Sequence, residues 1–400
     1  MKVCFVTSSF IRHSQDGYAR FVYEQAKSLL RTRRNYEVVV VAPHAPGLAR
    51  CEVIDGLNIH RFRYFLPTSL QRLAYRHEGL FNTLKSSRLA LVQLPFFLLS
   101  MLFVLWRQSR GASIIHAQWI PTALAAIPVG RIRGIPVCVS ARGADVNTCR
   151  LSRLGDRLSR FVLNHVDSVL TVSAEFQQAL QALKIKAQVH AVYNGVDTKL
   201  FHPRDAGLCK RQLDIPPEFR LILYVGGLIP RKGISTLFKA FARVKSRLPS
   251  ESRLCLAGEG PLQSALEKEA FRLGIAEQVM FVGRINRNEV SLWMSASEIL
   301  VLPSESEGRP NVVLEAMGAG IPVIATAVNG TVEIIRSGCN GLLFRPGDDA
   351  TLAEHLNNLF QHSDKARALV AEGHATLERE SLSWESHGQQ IDEIYIKLIG

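Results

Sequence analysis

Four hundred residues, 47% of them hydrophobic, are enough for two domains of ordinary size with cores of their own, which excludes a disordered or low-complexity chain. The formal charge is +13, and the whole excess lies in residues 1–200, which hold 26 basic and 11 acidic side chains against 22 and 24 in residues 201–400. A basic half-molecule reads as a surface for anionic lipid, acidic glycan or nucleic acid; no nucleic-acid-binding motif accompanies it, so nucleic acid is set aside as a partner.

The chain opens on an apolar run, Lys2–Thr7, that predicts the first strand of a parallel sheet with no signal peptide before it. The loop Phe10–Gly17 leads into a predicted helix, Tyr18–Arg31, and a second strand, Glu37–Ala42. Strand, loop, helix and strand in that order begin a doubly wound domain. Gly17 is the loop's one glycine, so the loop is no dinucleotide fingerprint; a plain helix-entry turn is the other reading of it. A short strand follows at Leu57–Arg63, then an irregular, aromatic and basic stretch to Lys85. Leu89–Trp106 is an apolar run of 18 residues bracketed by Arg88 and Arg107, at the lower edge of a bilayer span. Gln93, Pro95 and Ser100 interrupt it, and it falls where the sheet needs a crossover helix. A buried crossover helix and a helix partly exposed to lipid are the readings that fit. Residues 61–110 hold eight basic side chains and one acidic one, Glu78, which with the aromatic and apolar residues is the composition of an interfacial surface.

Strands are predicted at Ser113–Ala117, Pro136–Ser140, Asp167–Val172 and Ala187–Val192, with helices at Thr122–Arg133 and Ala174–Leu183. His116 and Gln118 stand at the end of one strand, and Arg142, Gly143 and Asp145 just beyond the next. Open α/β sheets bind ligands at such carboxyl ends. Tyr193–Asp197 reads as a hinge, and Thr198–Phe219, with three prolines, as a linker. A second alternation follows. Its strands are Leu221–Val225, Arg253–Ala257, Val279–Val282, Glu298–Leu302 and Pro322–Ala325; its helices are Ser235–Leu248, Leu262–Leu273, Arg287–Ser295 and Asn311–Gly318. The tail, Thr351–Leu398, is helical, with Trp384 and Tyr395 as core anchors. Seven scattered cysteines without a C-x-x-C pair fit reduced thiols in a cytosolic protein.

Two stretches carry chemistry. In Val225–Gly233 a strand ends in glycines, and Arg231 and Lys232 bring two positive charges to a helix start, which suits a pyrophosphate. In Ser304–Met317 a polar loop with Glu307 and Gly308 runs through Arg309 and Pro310 into a helix carrying Glu315. Backbone N–H groups at such a helix start favour phosphate. A carboxylate beside phosphate would repel it, so Glu307 and Glu315 fit acceptors of hydrogen bonds from sugar hydroxyls. Solvated or capping glutamates are the plain alternative. No Asp-x-Asp motif and no His/Cys ligand cluster is present, so no metal and no bound cofactor are expected.

Glu-x7-Glu within Ser306–Thr326, together with the flanking motifs, resembles the signature of retaining glycosyltransferases of the GT-B fold in family 4, and the likeness covers nearly every segment. The resemblance implies an α/β chain of two doubly wound, Rossmann-like parallel-sheet domains facing across a cleft. Residues 1–198 would bind the acceptor and 199–380 the nucleotide sugar, while 381–400 would cross back to the first domain. Glu315 would hold the ribose hydroxyls and Glu307 the 3- and 4-hydroxyls of the donor sugar. Arg231, Lys232 and the backbone of Gly308, Arg309, Pro310, Asn311 and Val312 would bind the diphosphate, and Gly17 would lie near it. The acceptor, a glycan, lipid-linked glycan or small molecule, would lie near Gly17, His116 and Arg142. The family's front-face displacement needs no protein nucleophile and no metal. The chain also departs from the pattern. Gly227 stands where relatives carry an arginine, and Gln118 and Arg142 stand where they carry histidines; His116 survives. The implied site is cytoplasmic, with an anionic membrane face near residues 61–110 as a possible partner. A scaffold that binds nucleotide sugars without catalysis, a GT-B epimerase or a phosphorylase are the rivals.

Overall fold

The structure is a computed structural model and describes residues 1–75, 83–84, 87–142, 153–183 and 185–400. Gly143, Asp145, Glu78 and Cys149 lie outside the described residues. The chain divides into two compact units: Met1–Asn194 with Trp384–Gly400, and Gly195–Ser383. The first division therefore falls inside the hinge run, between Asn194 and Gly195, rather than after residue 198. Within the second unit the Val196 N–H donates to the Leu382 carbonyl at 2.9 Å, so the two points where the chain passes between units lie side by side.

The first unit is built on strands β1 (Lys2–Val6), β2 (Glu37–Pro43), β3 (Cys51–Ile54), β4 (Leu57–Phe62), β5 (Ile114–Gln118), β6 (Val137–Ala141), β7 (Ser168–Thr171) and β8 (Gln188–Ala191), in the order β3-β4-β2-β1-β5-β6-β7-β8. All pairs are parallel except β3 with β4, a hairpin the sequence reading passed over. Its turn, Asp55-Gly56, has positive φ at both residues, as a tight hairpin requires. Helices α1 (Arg20–Leu30), α2 (Arg88–Gln108), α3 (Ala123–Arg133), α4 (Arg153–Leu163) and α5 (Ala174–Gln181) connect the strands. Helices cover both faces, so the central strands are buried on both sides and read as continuous apolar runs such as Val38–Ala42.

Helix α2 is the apolar run of the sequence, and it is a crossover helix. Its inner stripe, Ala90, Gln93, Phe97, Met101 and Leu105, is buried against the sheet side at helical spacing. Gln93, the polar residue within that stripe, is satisfied there: it accepts from the Arg72 N–H at 3.0 Å and donates to the Leu70 carbonyl at 2.7 Å. The outer face is a second apolar stripe. Leu91, Val92, Phe96, Leu99 and Phe103 are each more than half exposed. By length and composition α2 is the one helix among the described residues able to cross a membrane, but β4 before it and β5 after it belong to one sheet. A span there would drag that sheet into the bilayer.

The second unit does not begin with a linker. Thr198–Phe219 contains α6 (Ala206–Gln212), started by the Asp205 side chain accepting from the Leu208 N–H at 2.7 Å, with Cys209 and Lys210 buried. The prolines flank this helix instead of marking loose chain. Strands β9 (Arg220–Val225), β10 (Ser252–Ala257), β11 (Val279–Gly283), β12 (Ile299–Leu302), β13 (Val323–Thr326) and β14 (Leu342–Phe344) form a parallel sheet in the order β11-β10-β9-β12-β13-β14. Between them run α7 (Ile234–Val244), α8 (Gln263–Arg272), α9 (Arg287–Ala296), α10 (Asn311–Ala319) and α11 (Asn329–Val332), followed by α12 (Asp349–Gln361) and α13 (Ser363–Arg379). The last helix, α14 (Trp384–Ile399), belongs to the first unit, where Trp384 and Tyr395 are buried.

Each sheet reverses its winding once. In the first the reversal lies between β1 and β5, in the second between β9 and β12. The loops leaving those strands diverge there and open a crevice at the carboxyl ends.

Candidate functional site

In the second unit the two motif loops leave β9 and β12, the strands on either side of the reversal. After β9 the chain turns through Gly226 and Gly227 into a short 3-10 turn, Pro230–Lys232, and Gly233 starts α7 with φ +61°. A Cβ on Gly233 would sit 2.2 Å from the Pro303 carbonyl oxygen at the end of β12, so only glycine lets the two loops touch backbone to backbone. The Glu305 N–H donates to the Arg231 carbonyl at 2.9 Å and ties them together. Beneath them the buried Tyr224 hydroxyl donates to the Gly227 carbonyl at 2.9 Å, and burial pushes its pKa up. On the far side Gly330 backs the loop after β12: a Cβ there would lie 1.7 Å from the Gly308 carbonyl.

These contacts bring opposite charges together. Lys232 Nζ lies 2.5 Å from Glu307 Oε1, with side chains 15% and 10% exposed. Glu315 on α10 pairs with Arg287 on α9 at 3.2 Å, with side chains 15% and 13% exposed. Arg287 is held in place: Asn286 and Glu289 form a capping box around it, and its guanidinium lies 5.0 Å from the Phe201 ring centroid. The N-terminus of α10 follows Pro310 and has no side-chain cap. Its first N–H groups point out of the helix, and the helix starts shortly after Glu307 in the chain. The arrangement offers an incoming anion a lysine and a helix start, and offers hydroxyl groups two carboxylates whose present partners are cations.

The corresponding strand ends of the first unit hold a different chemistry. Gln118 at the end of β5 and Arg142 after β6 touch each other: Arg142 donates to Gln118 Oε1 at 3.0 Å, to Gln25 Oε1 at 2.5 Å and to Asn194 Oδ1 at 3.2 Å, and its guanidinium stacks 4.4 Å from the Phe21 ring centroid. Deeper in, His116 is fully buried, with Nδ1 2.5 Å from the Tyr395 hydroxyl and Nε2 2.8 Å from Ser140 Oγ. Burial, then the Arg142 charge, holds its pKa well below the ordinary value. His387 on α14 is buried too and meets the Tyr193 carbonyl at 2.7 Å; burial holds its pKa down at about 3.

Residues 15–200 match the family described as Glycosyltransferase Family 4, and residues 208–375 match Glycosyl transferases group 1. The chain belongs to glycosyltransferase family 4. It is 25% identical over 321 residues to N-acetyl-alpha-D-glucosaminyl L-malate synthase of Bacillus anthracis, covering 78% of this chain and 82% of that one. Among solved structures it superposes on sucrose-phosphate synthase from Thermosynechococcus elongatus with a TM-score of 0.81 at 22% identity, covering 100% and 99% of the two chains. Anabaena HepE in complex with UDP-glucose gives a TM-score of 0.75 at 19% identity over 100% of both. The fold is that of GT-B glycosyltransferases.

Within this glycosyltransferase the expected site residues divide. Lys232, Glu307, Gly308, Pro310, Asn311, Val312 and Glu315 gather at the reversal of the second sheet, and Arg231 lies exposed beside them. The Arg309 side chain turns inward, 1% exposed and paired with Glu333 at 3.6 Å, and braces the segment after β13; the diphosphate contact expected of Arg309 was one of its backbone. Gly227 carries no steric need for glycine, since a Cβ would meet only ordinary contact with the Glu259 carbonyl. Gly17 is exposed, with open space where a Cβ would point. His116 has both nitrogens engaged inside the core, so the catalytic part expected of it gives way to that of a polar pillar joining β5, β6 and α14. The sequence reading missed Arg287, Tyr224, Gly330 and Glu333. The capping-box spacing Asn286–Glu289 was legible and placed Arg287 on a helix start, but nothing local linked it to Glu315. Among the described residues no group of three His, Cys, Asp or Glu could hold a metal ion.

Proposed function

We propose that this glycosyltransferase moves a sugar from a UDP-sugar to a hydroxyl of a glycan, lipid-linked glycan or small-molecule acceptor, with retention at the anomeric carbon and without a metal ion. The observation that carries the reading is the Lys232–Glu307 ion pair at the two strands where the second sheet reverses. When the donor enters, its diphosphate takes Lys232 from Glu307, and the α10 N-terminus and Arg231 share the negative charge. Glu307, released, accepts hydrogen bonds from the 3- and 4-hydroxyls of the donor sugar. Glu315 accepts from the ribose hydroxyls and Arg287 holds it in orientation. The exchange leaves no carboxylate buried without a partner, which would otherwise be costly.

In the transfer step the acceptor oxygen forms the new bond to the anomeric carbon on the face from which the phosphate departs. The bond from that carbon to the phosphate oxygen breaks, and the same oxygen takes the acceptor's proton. No protein nucleophile is consumed. UDP is supported as the carrier by the complex of HepE with UDP-glucose. A hydroxylated acceptor is supported by the malate named in the B. anthracis relative. The setting proposed is the cytoplasm, at the inner face of the membrane.

A thermal-shift screen of UDP-, GDP- and ADP-sugars tests the reading, because a ligand that binds only the folded chain raises its Tm. UDP-sugars are expected to raise it with or without EDTA, and to lose the effect in Lys232→Ala. No shift and no release of nucleoside diphosphate with any of them would leave a scaffold without catalysis.

A further inference from the structure

The first unit contains a cavity of about 240 Å³ that glycosyl transfer as described does not use. Its walls are α2, α4, the start of α3 and the segments that follow β1 and β5, and its lining includes Ser8, Leu98, Met101, Ile120, Leu124 and Val162. Two of the hydroxyls on its wall are spent on backbone: Thr122 Oγ1 donates to the Gln118 carbonyl at 2.7 Å and Ser159 Oγ to the Gly155 carbonyl at 2.8 Å. An apolar hollow of this kind offers water no partners and takes hydrocarbon. One end lies at Ser8 and Ile120, beside the reversal between β1 and β5, where an open sheet receives its ligand.

The same helix that walls the cavity turns its outer stripe to solvent. That stripe, Leu91 to Phe103, begins at the exposed Arg88 and ends at the exposed Arg107, and neither guanidinium meets a carboxylate among the described residues. Leu158 and Phe161 on α4 extend the exposed apolar surface next to the cavity. An apolar stripe with a cation at each end, on the half of the chain that holds the surplus positive charge, matches the acyl layer and phosphates of an anionic bilayer.

We infer that the first unit docks on anionic membrane through the outer face of α2, and that the cavity between α2 and α4 takes the aliphatic chain of a lipid-linked acceptor. The headgroup hydroxyl then lies at the ends of β1 and β5. This rests on the transfer reading for its purpose, but its test does not depend on turnover.

The full chain is floated with vesicles of phosphatidylcholine alone and with added phosphatidylglycerol, and titrated in their absence with the fluorescent fatty acid parinaric acid. Wild type is expected to float with the anionic vesicles, less so in high salt, and to bind the fatty acid. Leu99→Glu with Phe103→Glu is expected to reduce flotation at least about tenfold and keep fatty-acid binding. Leu124→Trp, which fills the cavity, is expected to float normally and lose fatty-acid binding by about tenfold or more. Leu98→Phe serves as a second filling variant if the first lowers the Tm. Fatty-acid binding that survives both folded filling variants overturns the chain site. Sedimentation as a concentration-dependent dimer with no flotation overturns the membrane face in favour of a second copy. Absence of a Tm shift with UDP-sugars sinks only the transfer reading.

Discussion

The two units treat charge at their strand ends in opposite ways. In the second, cations and carboxylates meet in pairs, which the proposed donor would exchange: Lys232 with Glu307, Arg287 with Glu315. In the first, Arg142 is gripped by Gln118, Gln25 and Asn194, and two imidazoles are sealed beneath it as neutral groups. Ion pairs with side chains 10–15% exposed can trade partners when an anion arrives. A guanidinium locked among carboxamides, and two buried histidines, hold shape instead. The same architecture thus carries partly exposed ion pairs at the strand ends of one sheet and a fixed polar core in the other.

The comparison breaks first at Lys232. Lys232→Ala should lower kcat/KM for the nucleotide sugar by about 10²–10³, the usual loss when one group that stabilises developing charge is removed; a variant that folds and keeps full rate would end the idea of an exchangeable pair. Gly330→Ala pushes a methyl group into the Gly308 carbonyl and should cost about 1–3 kcal/mol in urea unfolding, with donor affinity falling alongside.

Acid should act on the first unit. His116 and His387 are held neutral when folded, while the unfolded chain protonates them near 6.5, so the unfolded state binds more protons below that pH. Stability is therefore full above 6.5 and is lost as pH falls toward about 3, the value of His387. Urea midpoints at about pH 7.5 and about pH 5, read by hydrogen exchange in β5, β6 and α14, check the direction. Arg287→Ala, which leaves Glu315 without its cation, should raise KM for the donor about tenfold with a smaller change in kcat, the size of one charge-assisted hydrogen bond. Arg31→Ala should change stability by under about 1 kcal/mol in the same unfolding assay, because its pair with Glu385 is largely solvated.

Much of this was legible in the residues themselves. Strand ends followed by glycine, and Pro310 at a helix start, announce two loops built for close approach, and Lys232 and Glu307 lie within them. The inner and outer stripes of α2 were foreshadowed by an apolar run broken at Gln93 and Pro95. Other features were not local. Asp205 as a cap was hidden by the prolines around it, so a packed helix read as linker. Arg309 was read for its backbone alone; only Glu333, brought in from beyond β13, shows which way its side chain turns. His116 sat at a strand end, but α14, arriving from 279 residues later, closes over it.

The sequence by itself determined the alternation of strand and helix, the division near residue 195, the basic first half and the two motifs, because each is written in local periodicity, composition and turn chemistry. Tertiary structure alone decided which charges meet. Lys232 and Glu307 are 75 residues apart, and they touch because β9 hydrogen-bonds to β12, skipping two intervening strands. That order is set by how helices cover both faces of a twisted sheet, which no short stretch of chain encodes.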